Sequence, residues 1–256
     1  MVLQLPLWGQ LYKFLPTKVG LRILANLTQS STVSYKEFRE TAAREAVLFK
    51  RRLAKKDRSL GNKFGGELST AFPDNNDKSI SRYQDQYLVY ARPSVEQISS
   101  LAAQMRWLNV DAKRKVGITK LGLEFVKLSS PVIDGDGEEP LSREERNCII
   151  DQLITQYRAE ALQMEFVLRE IASGTSSRRA LNDRIVQFYR KNWPNESKNW
   201  SEGVFNTMRA GEISRLYELG LISKTRDGLM VTYSITEEGE KVLERLRRPS
   251  VGIPAR

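Results

Sequence analysis

The side chains on which enzymes most often rely for their chemistry are scarce in this chain of 256 residues. It contains no histidine and one cysteine, Cys148. Catalytic triads built on histidine, imidazole acid–base chemistry and histidine metal sites are therefore excluded. A single cysteine also excludes a disulfide within the chain. Because Cys148 falls within a helical apolar pattern, we expect a buried, inert thiol.

One acidic segment has the composition of a cation-binding loop. Its members are Asp134, Asp136, Glu138 and Glu139. The spacing resembles the start of a calcium loop, but Pro140 interrupts it and no bidentate glutamate follows at the required distance. We therefore interpret residues 130–141 as an acidic, flexible linker and expect no metal or other cofactor. The sequence has no phosphate-binding glycine loop or nucleophile elbow, so we expect no enzymatic activity.

The charge balance favours a polyanionic partner. Forty-one lysines and arginines against 31 aspartates and glutamates give a net charge of +10. Nucleic acid is the commonest partner of this kind. The first 15 residues are apolar but Pro6 interrupts them, and no stretch reaches the length of a membrane span. We therefore expect a cytoplasmic, nucleoid-associated protein without membrane contact.

The N-terminal half is predicted to contain three helices and a hairpin. Helical spacing of apolar residues covers residues 17–28, 34–56 and 94–105. Residues 57–81 are polar and rich in Gly, Asn and Asp, which predicts a loop or an insertion. After the third helix, Lys113, Arg114 and Lys115 form the basic tip of a hairpin-sized segment.

The C-terminal half is predicted to begin with a long helix. Ser142 and Glu145 form a capping box, and an apolar seam then runs to Ile171, a length of about eight turns. A helix of this length would join two domains or pair with its counterpart in a dimer. Two further helices are predicted at residues 178–193 and 201–219.

A hairpin and a closing helix complete the predicted C-terminal half. Gly220 marks the end of the preceding helix, Asp227-Gly228 marks the hairpin turn, and Thr236 caps the last helix. The motif Ile235-Thr236-x-x-Gly239 recurs as Ile118-Thr119-x-x-Gly122 after the first hairpin-sized segment. Its recurrence in the same local context predicts that one fold occurs twice.

This order of elements resembles the winged-helix fold, and more narrowly the C-terminal half of MarR- or PadR-like DNA-binding domains. The resemblance rests on the helix exit Arg215-Leu216-x-x-Leu219-Gly220-Leu221-Ile222, the short charged hairpin and the Ile-Thr-x-x-Gly motif. It covers about residues 178–247 and is weaker over residues 17–128. The fold class it implies is mainly α with small β-hairpins (α+β), as two winged-helix domains joined by a long helix.

The resulting layout has six parts. They are an N-terminal arm at 1–16, a winged-helix-like domain with an insertion at 17–129, the linker at 130–141, a connecting or dimerisation helix at 142–174, a C-terminal winged-helix domain at 175–247 and a tail at 248–256. We expect the arm to be ordered and to pack on another part of the protein.

The resemblance implies DNA contacts on the helix before the C-terminal hairpin, a helix-turn-helix recognition helix, and on the hairpins. The residues expected on the exposed side of that helix are Asn206, Thr207, Arg209, Ser214 and Arg215. The hairpin cations are Lys224, Arg226, Lys113, Arg114 and Lys115. A further basic run, Lys50, Arg51 and Arg52, extends the footprint if it lies on the same side; otherwise it is a solvated helix end.

We therefore expect a double-stranded DNA-binding protein, acting as a homodimeric transcriptional regulator or as a subunit of a larger multi-protein complex, such as a restriction or mobile-element system. An alternative remains open. Tandem winged helices also resemble accessory subunits of chromosome-organising SMC complexes, in which the domains dimerise and grip a partner chain while DNA contact is secondary. The apolar arm and the long helix are compatible with such an interaction subunit.

Overall fold

The computed structural model describes residues 5–28, 32–61, 68–89, 100–135 and 137–247. As expected for an α+β chain, it is mainly helical with two small antiparallel sheets. The chain forms two compact units. The N-terminal unit is Lys13–Glu145, and the C-terminal unit combines residues 146–247 with residues 5–12 of the arm. The arm thus packs as expected, and it does so on the sequence-distant unit.

The N-terminal unit is a set of helices around a three-stranded sheet of order β1-β3-β2. Its elements are α1 Leu15–Leu27, β1 Val33–Ser34, α2 Tyr35–Leu60, α3 Asp77–Tyr83, a π-helical turn Gln84–Leu88, α4 Leu101–Gln104, β2 Leu108–Val110, β3 Lys115–Ile118, α5 Lys120–Lys127 and α6 Pro131–Asp134. The core contains the fully buried aromatic rings of Phe14, Phe38, Trp107 and Phe125. Trp107 and Phe125 stack with 4.4 Å between ring centroids.

The first two predicted helices of this unit are confirmed. Ser34 caps α2 by accepting a hydrogen bond from the amide of Glu37. The loop predicted at 57–81 is partly wrong, because α2 continues to Leu60 and α3 begins at Asp77. The buried carboxylate of Asp57 accepts from the amides of Leu68 and Ser69, which holds these two residues against the last turns of α2. Residues 94–99, the first half of the helix predicted at 94–105, lie outside the described residues, and α4 covers Leu101–Gln104 of the second half.

The prediction of a flexible linker at 130–141 is wrong for its described residues. Pro131 begins helix α6, and the amide of Ser130 donates to the carboxylate of Asp134 at 2.7 Å. Arg22 pairs with Asp134, and this contact holds the pKa of that carboxyl well below its usual range. Leu141 is fully buried. The acidic segment is therefore part of the N-terminal unit, because Arg22 binds Asp134 and Leu141 is buried in the core. Asp136 lies outside the described residues.

The C-terminal unit places helices against a single hairpin. Its elements are α7 Arg143–Gln156, α8 Arg158–Ala172, α9 Arg178–Asn192, α10 Pro194–Ser197, α11 Glu202–Glu218, β4 Ile222–Asp227, β5 Met230–Ile235 and α12 Glu237–Arg247. The predicted hairpin is confirmed, with its register running from Ile222 opposite Ile235 to Asp227 opposite Met230. Ser177 forms an isolated bridge to Thr232 on the edge of β5.

The single long helix predicted at 142–171 is wrong. The capping box is present, since Ser142 and Glu145 exchange hydrogen bonds of 2.6 and 3.2 Å. The helix breaks at Tyr157, whose φ of −121° and ψ of 72° are not helical. Helix α8 then packs against α12 within the C-terminal unit. Arg245 of α12 also pairs with Asp151 of α7 at 2.6 Å. Segment 142–174 is therefore largely part of this unit rather than a separate connector.

The two Ile-Thr-x-x-Gly motifs have the same local structure. The amide of Thr119 donates to Trp107 O at 3.0 Å, and that of Thr236 donates to Leu221 O at 3.1 Å. Each threonine hydroxyl accepts the amide of the motif glycine and thereby caps the following helix. A Cβ on Gly122 or on Gly239 would lie 2.0 or 2.1 Å from the same carbonyl oxygens. The close approach of helix and hairpin requires glycine at both positions.

The repeat extends beyond the motif. In each unit a helix is followed by a serine that pairs with the second hairpin strand and also caps the next helix. These serines are Ser34 and Ser177. The helix that this serine caps is followed by a further helix, by the hairpin and by the helix that contains the motif glycine. These last elements are α4, β2, β3 and α5 in the N-terminal unit and α11, β4, β5 and α12 in the C-terminal unit. The two units therefore share one order of elements, although the N-terminal copy contains the longer α2 and the additional α3.

Candidate nucleic-acid interface

The hairpin of the N-terminal unit presents its three basic tip residues to solvent, as predicted. Lys113, Arg114 and Lys115 are all exposed. The carboxylate of Asp111 accepts from the amides of Lys113 and Lys115 at 2.9 and 2.8 Å, and Arg114 has a positive φ of 56°. Because the acid binds the backbone of the turn, the three cationic side chains remain directed outward. Such a tip suits the phosphates of a nucleic acid backbone.

The basic run on α2 is a separate feature. Tyr35, at the start of α2, donates its amide to Arg114 O at 2.9 Å, whereas Arg51 lies roughly 24 Å farther along the helix. Lys50 forms an ion pair with Asp74 at 2.6 Å, so its charge is offset. Arg51 and Arg52 are exposed, and the Arg52 guanidinium lies 5.0 Å from the centre of the Phe49 ring. The predicted cations therefore form two sites on this unit.

The hairpin of the C-terminal unit has two different faces. One face has Lys224 and Arg226, which lie opposite Tyr233 and Val231. Lys224 Nζ is 3.9 Å from the centre of the Tyr217 ring, and Arg226 Nε donates to Gly228 O at 3.1 Å. The other face consists of small, exposed hydroxyl side chains. They are Ser223, Thr225, Thr232 and Ser234. This hairpin is therefore cationic on one face and sterically open on the other.

The sequence reasoning missed a basic helix next to this hairpin. Helix α9 has five exposed cations, which are Arg178, Arg179, Arg184, Arg190 and Lys191, and Arg184 pairs with Glu170 at 3.3 Å. The amide of Tyr233 donates to Ser176 O, and Ser177 bridges to Thr232, so Arg178 and Arg179 begin α9 beside β5. The amino-acid sequence does contain a sign of this basic surface, because five of the fifteen residues of α9 are basic.

The prediction that Arg209 and Arg215 lie on the exposed face of their helix is wrong. Their exposed fractions are 2% and 1%. Asn206, Thr207 and Ser214 are only partly exposed. The N-terminal arm covers the side of α11 that carries Arg215, whereas Arg209 lies beside Arg178 and Tyr233. A Cβ on Gly9 would lie 2.1 Å from Thr207 O, and one on Gly211 would lie 2.2 Å from Gly9 O. Backbone of the arm is therefore in direct contact with backbone of the helix.

Arg215 belongs to a buried charge cluster that fixes this arm. Its Nε donates to Glu160 Oε1 at 2.8 Å, its Nη2 to Glu212 Oε2 at 2.7 Å and its Nη1 to Leu11 O at 3.0 Å. Glu160 Oε2 accepts from the amide of Leu7 at 2.7 Å. Burial raises the pKa of Glu160 to about 8, although Arg215 opposes the shift. Two carboxylates facing one guanidinium thus favour retention of a proton.

Arg209 has a different environment. Its Nε and Nη2 atoms are buried and have no hydrogen-bond acceptor among the described residues. Burial lowers its pKa, and the neighbouring cation Arg178 lowers it further. This uncompensated charge lies close to the hairpin, since Tyr233 also interacts with it. It adds to the positive potential of the surface formed by α9 and the hairpin.

The described part of the chain contains no group of three acidic or cysteine side chains placed to hold a metal ion. Among the same residues, none of the helices has the length and apolarity needed to cross a bilayer. Cys148 is partly buried. No family model, curated protein or solved structure matches the chain.

Proposed function

We propose that the chain is a double-stranded DNA-binding protein made of two winged-helix domains whose hairpins are the main contacts to DNA. The observation that carries this proposal is the exposed cationic tip of Lys113, Arg114 and Lys115, which Asp111 holds outward at the hairpin of a twice-repeated fold. The net charge of +10 and the exposed cations of α9 support it. Phosphate contacts of this kind give affinity without reading sequence.

The covered state of α11 favours one of the two proposed DNA-binding roles. A regulator that recognises an operator needs a helix whose side chains reach base edges. Here Arg209 and Arg215 are buried, and the arm lies against the backbone of α11. The role of a DNA-binding subunit in a larger assembly is therefore favoured over that of a stand-alone transcriptional regulator.

A salt series tests the proposal. Binding of a fluorescent random duplex is measured by anisotropy for the wild type and for a variant with Lys113, Arg114 and Lys115 changed to Ala. Loss of three phosphate contacts reduces the slope of log K against log salt by about 2 to 3. The matched control changes Lys78, Arg82 and Lys120 to Ala, because these exposed cations lie on the same unit away from the tip. Absent duplex binding, or equal slopes in the two variants, would overturn the proposal.

A second function is favoured by the same arm. The helix that enters DNA in many winged-helix proteins is used here to bind a segment of the chain itself, as shown by the contacts of Leu7 and Leu11 with Glu160 and Arg215. An interaction subunit in which DNA contact is secondary is consistent with this use. A folded protein that binds no duplex at low salt, yet forms a stable homodimer in sedimentation, supports this alternative.

A further inference from the structure

The tip of the C-terminal hairpin is apolar and almost fully exposed. Leu229 is 94% exposed and Met230 is 68% exposed, the two highest values among the exposed large hydrophobic residues of the described chain. We infer that Leu229 and Met230 form a wedge that enters the minor groove of duplex DNA and partly unstacks a base step. The inference rests on the proposed function and specifies the class of DNA that this unit prefers.

The geometry of the hairpin suits insertion into a narrow groove. Asp227 and Met230 form the last pair of the ladder, so Gly228 and Leu229 make a two-residue loop, and Gly228 has a φ of 57°. The minor groove of B-form DNA is about 6 Å wide, which admits side chains but not a two-stranded ribbon, so only the side chains at the tip of the hairpin would enter it. A six-residue strand extends roughly 20 Å, which allows the tip to reach beyond the body of the unit. Leucine and methionine are among the side chains that proteins use as wedges.

The charges on both sides of the tip point to DNA as its partner. Arg226 is one pair from the end of the hairpin, and its guanidinium donates to Gly228 O directly behind Leu229. Lys224 follows on the same face, while Arg178 and Arg179 lie beside the outer strand. The exposed carboxylate of Asp227, which is paired with Met230 at the end of the ladder, opposes these cations. The basic side chains outnumber this acid, and the remaining positive charge matches a groove whose walls are phosphates.

The energetics indicate which DNA is bound best. Burial of a leucine or methionine side chain is favourable, whereas unstacking of a base step is unfavourable. Because these two contributions oppose each other, the sequence or state of the DNA determines whether insertion is favourable overall. Flexible TA and CA/TG steps, mismatches and pre-bent duplexes are unstacked at lower cost. We expect the C-terminal hairpin to prefer such deformable sites, while the Lys113–Lys115 tip, which has no apolar residue, does not discriminate.

The test uses the full chain and a short duplex labelled at both ends with a fluorescence energy-transfer pair. Two duplexes are compared, one with a central mismatch and one fully paired and GC-rich. The wild type is expected to increase energy transfer on the mismatched duplex and to bind it about 10-fold more tightly, because unstacking costs less at a mismatch than at a paired GC-rich step. The variant Leu229→Ser, Met230→Ser should lose both effects. Its salt slope should not change, because no charge is altered.

Leu48→Ser is the matched control, because Leu48 is an exposed leucine on the other unit with an exposed fraction of 47%. It should behave as the wild type. If the double serine variant retains the bend and the mismatch preference, the wedge is overturned while the proposed function stands. If the wild type binds neither duplex, both are overturned. If the double variant instead loses binding to anionic phospholipid vesicles with duplex affinity unchanged, the tip belongs to a lipid surface and the inference is wrong.

Discussion

Arg215 carries its charge in the interior of the C-terminal unit, where Glu160 and Glu212 surround it. We expect Arg215→Ala to lower the free energy of unfolding by about 3–5 kcal/mol, because it leaves two carboxylates buried without their cation. Urea denaturation followed by circular dichroism measures the change. Arg226→Ala is the control, since that exposed arginine should change stability by about 0.5 kcal/mol or less. A similar, small effect of both variants would show that Arg215 is not structural.

Glu160 gives this unit a pH dependence of defined sign. Its pKa rises from 4.5 to about 8 because burial and the adjacent Glu212 disfavour its charged form. The folded protein therefore holds a proton at pH values where the unfolded chain has released it. The free energy of unfolding should fall as the pH rises from about 5 to 8, with a slope of at most about 1.4 kcal/mol per pH unit. Urea midpoints measured at several pH values test this.

Glu160→Gln keeps the shape of the protonated side chain and can donate to Glu212. We expect it to flatten the pH dependence of the urea midpoint between pH 5 and 8, while the wild type retains its slope. Glu165→Gln serves as the control, because Glu165 lies on the same helix at a partly exposed position. An unchanged slope in Glu160→Gln would assign the titration to another group.

The contact between the arm and α11 depends on two glycines. A Cβ on Gly211 would lie 2.2 Å from Gly9 O, so Gly211→Ala must displace the arm or the helix. We expect a loss of about 1–3 kcal/mol and faster amide exchange at Leu7 and Gly9. Gly203→Ala in the same helix meets nothing closer than 3.6 Å, and it should stabilise by up to about 1 kcal/mol. Equal, favourable effects of the two alanines would contradict the close contact.

Local chemistry made several elements predictable. The capping box of Ser142, the hairpin turn and the Ile-Thr-x-x-Gly entries are defined by hydrogen bonds between near neighbours, so the sequence alone reveals them. The turn itself is Gly228-Leu229, one residue later than the predicted Asp227-Gly228, because Asp227 still pairs with Met230. The break at Tyr157 has no such signature, because neither proline nor glycine marks it. The position of this break depends on how α8 packs against α12, which is distant in the sequence, and the spacing of apolar residues does not reveal such a contact.

The candidate site was less predictable than the fold for a related reason. Exposed tips such as Lys113–Lys115 follow from the hairpin itself, whereas the exposed side of α11 depends on what covers it. The covering segment is about 200 residues away in the chain, as the bond from Arg215 to Leu11 shows. The sequence predicts that Arg215 faces solvent because its side chain is charged. In the structure it is buried, because Leu11 O of the arm and the carboxyl groups of Glu160 and Glu212 bind its guanidinium.

At the scale of the whole molecule, positive charge is exposed on both units rather than concentrated on one. The N-terminal unit has Lys113, Arg114 and Lys115, and the C-terminal unit has Arg178, Arg179 and Arg226. These sets are alike in formal charge, but only the second adjoins an apolar tip. Under the proposed function, this difference corresponds to a division of roles, in which one hairpin would supply affinity and the other would select deformable DNA.

Two sets of phosphate contacts on one duplex should contribute independently to the salt dependence of binding. We expect the change of Arg178, Arg179 and Arg226 to Ala to reduce the slope of log K against log salt by about 2 to 3, as in the Lys113–Lys115 variant. The variant with all six residues changed should reduce this slope by the sum of the two separate reductions, since the two sets share no contact partner. Anisotropy titrations over the same salt series measure all four proteins. If the six-residue variant has the same slope of log K against log salt as one of the triple variants, only one unit contacts the duplex.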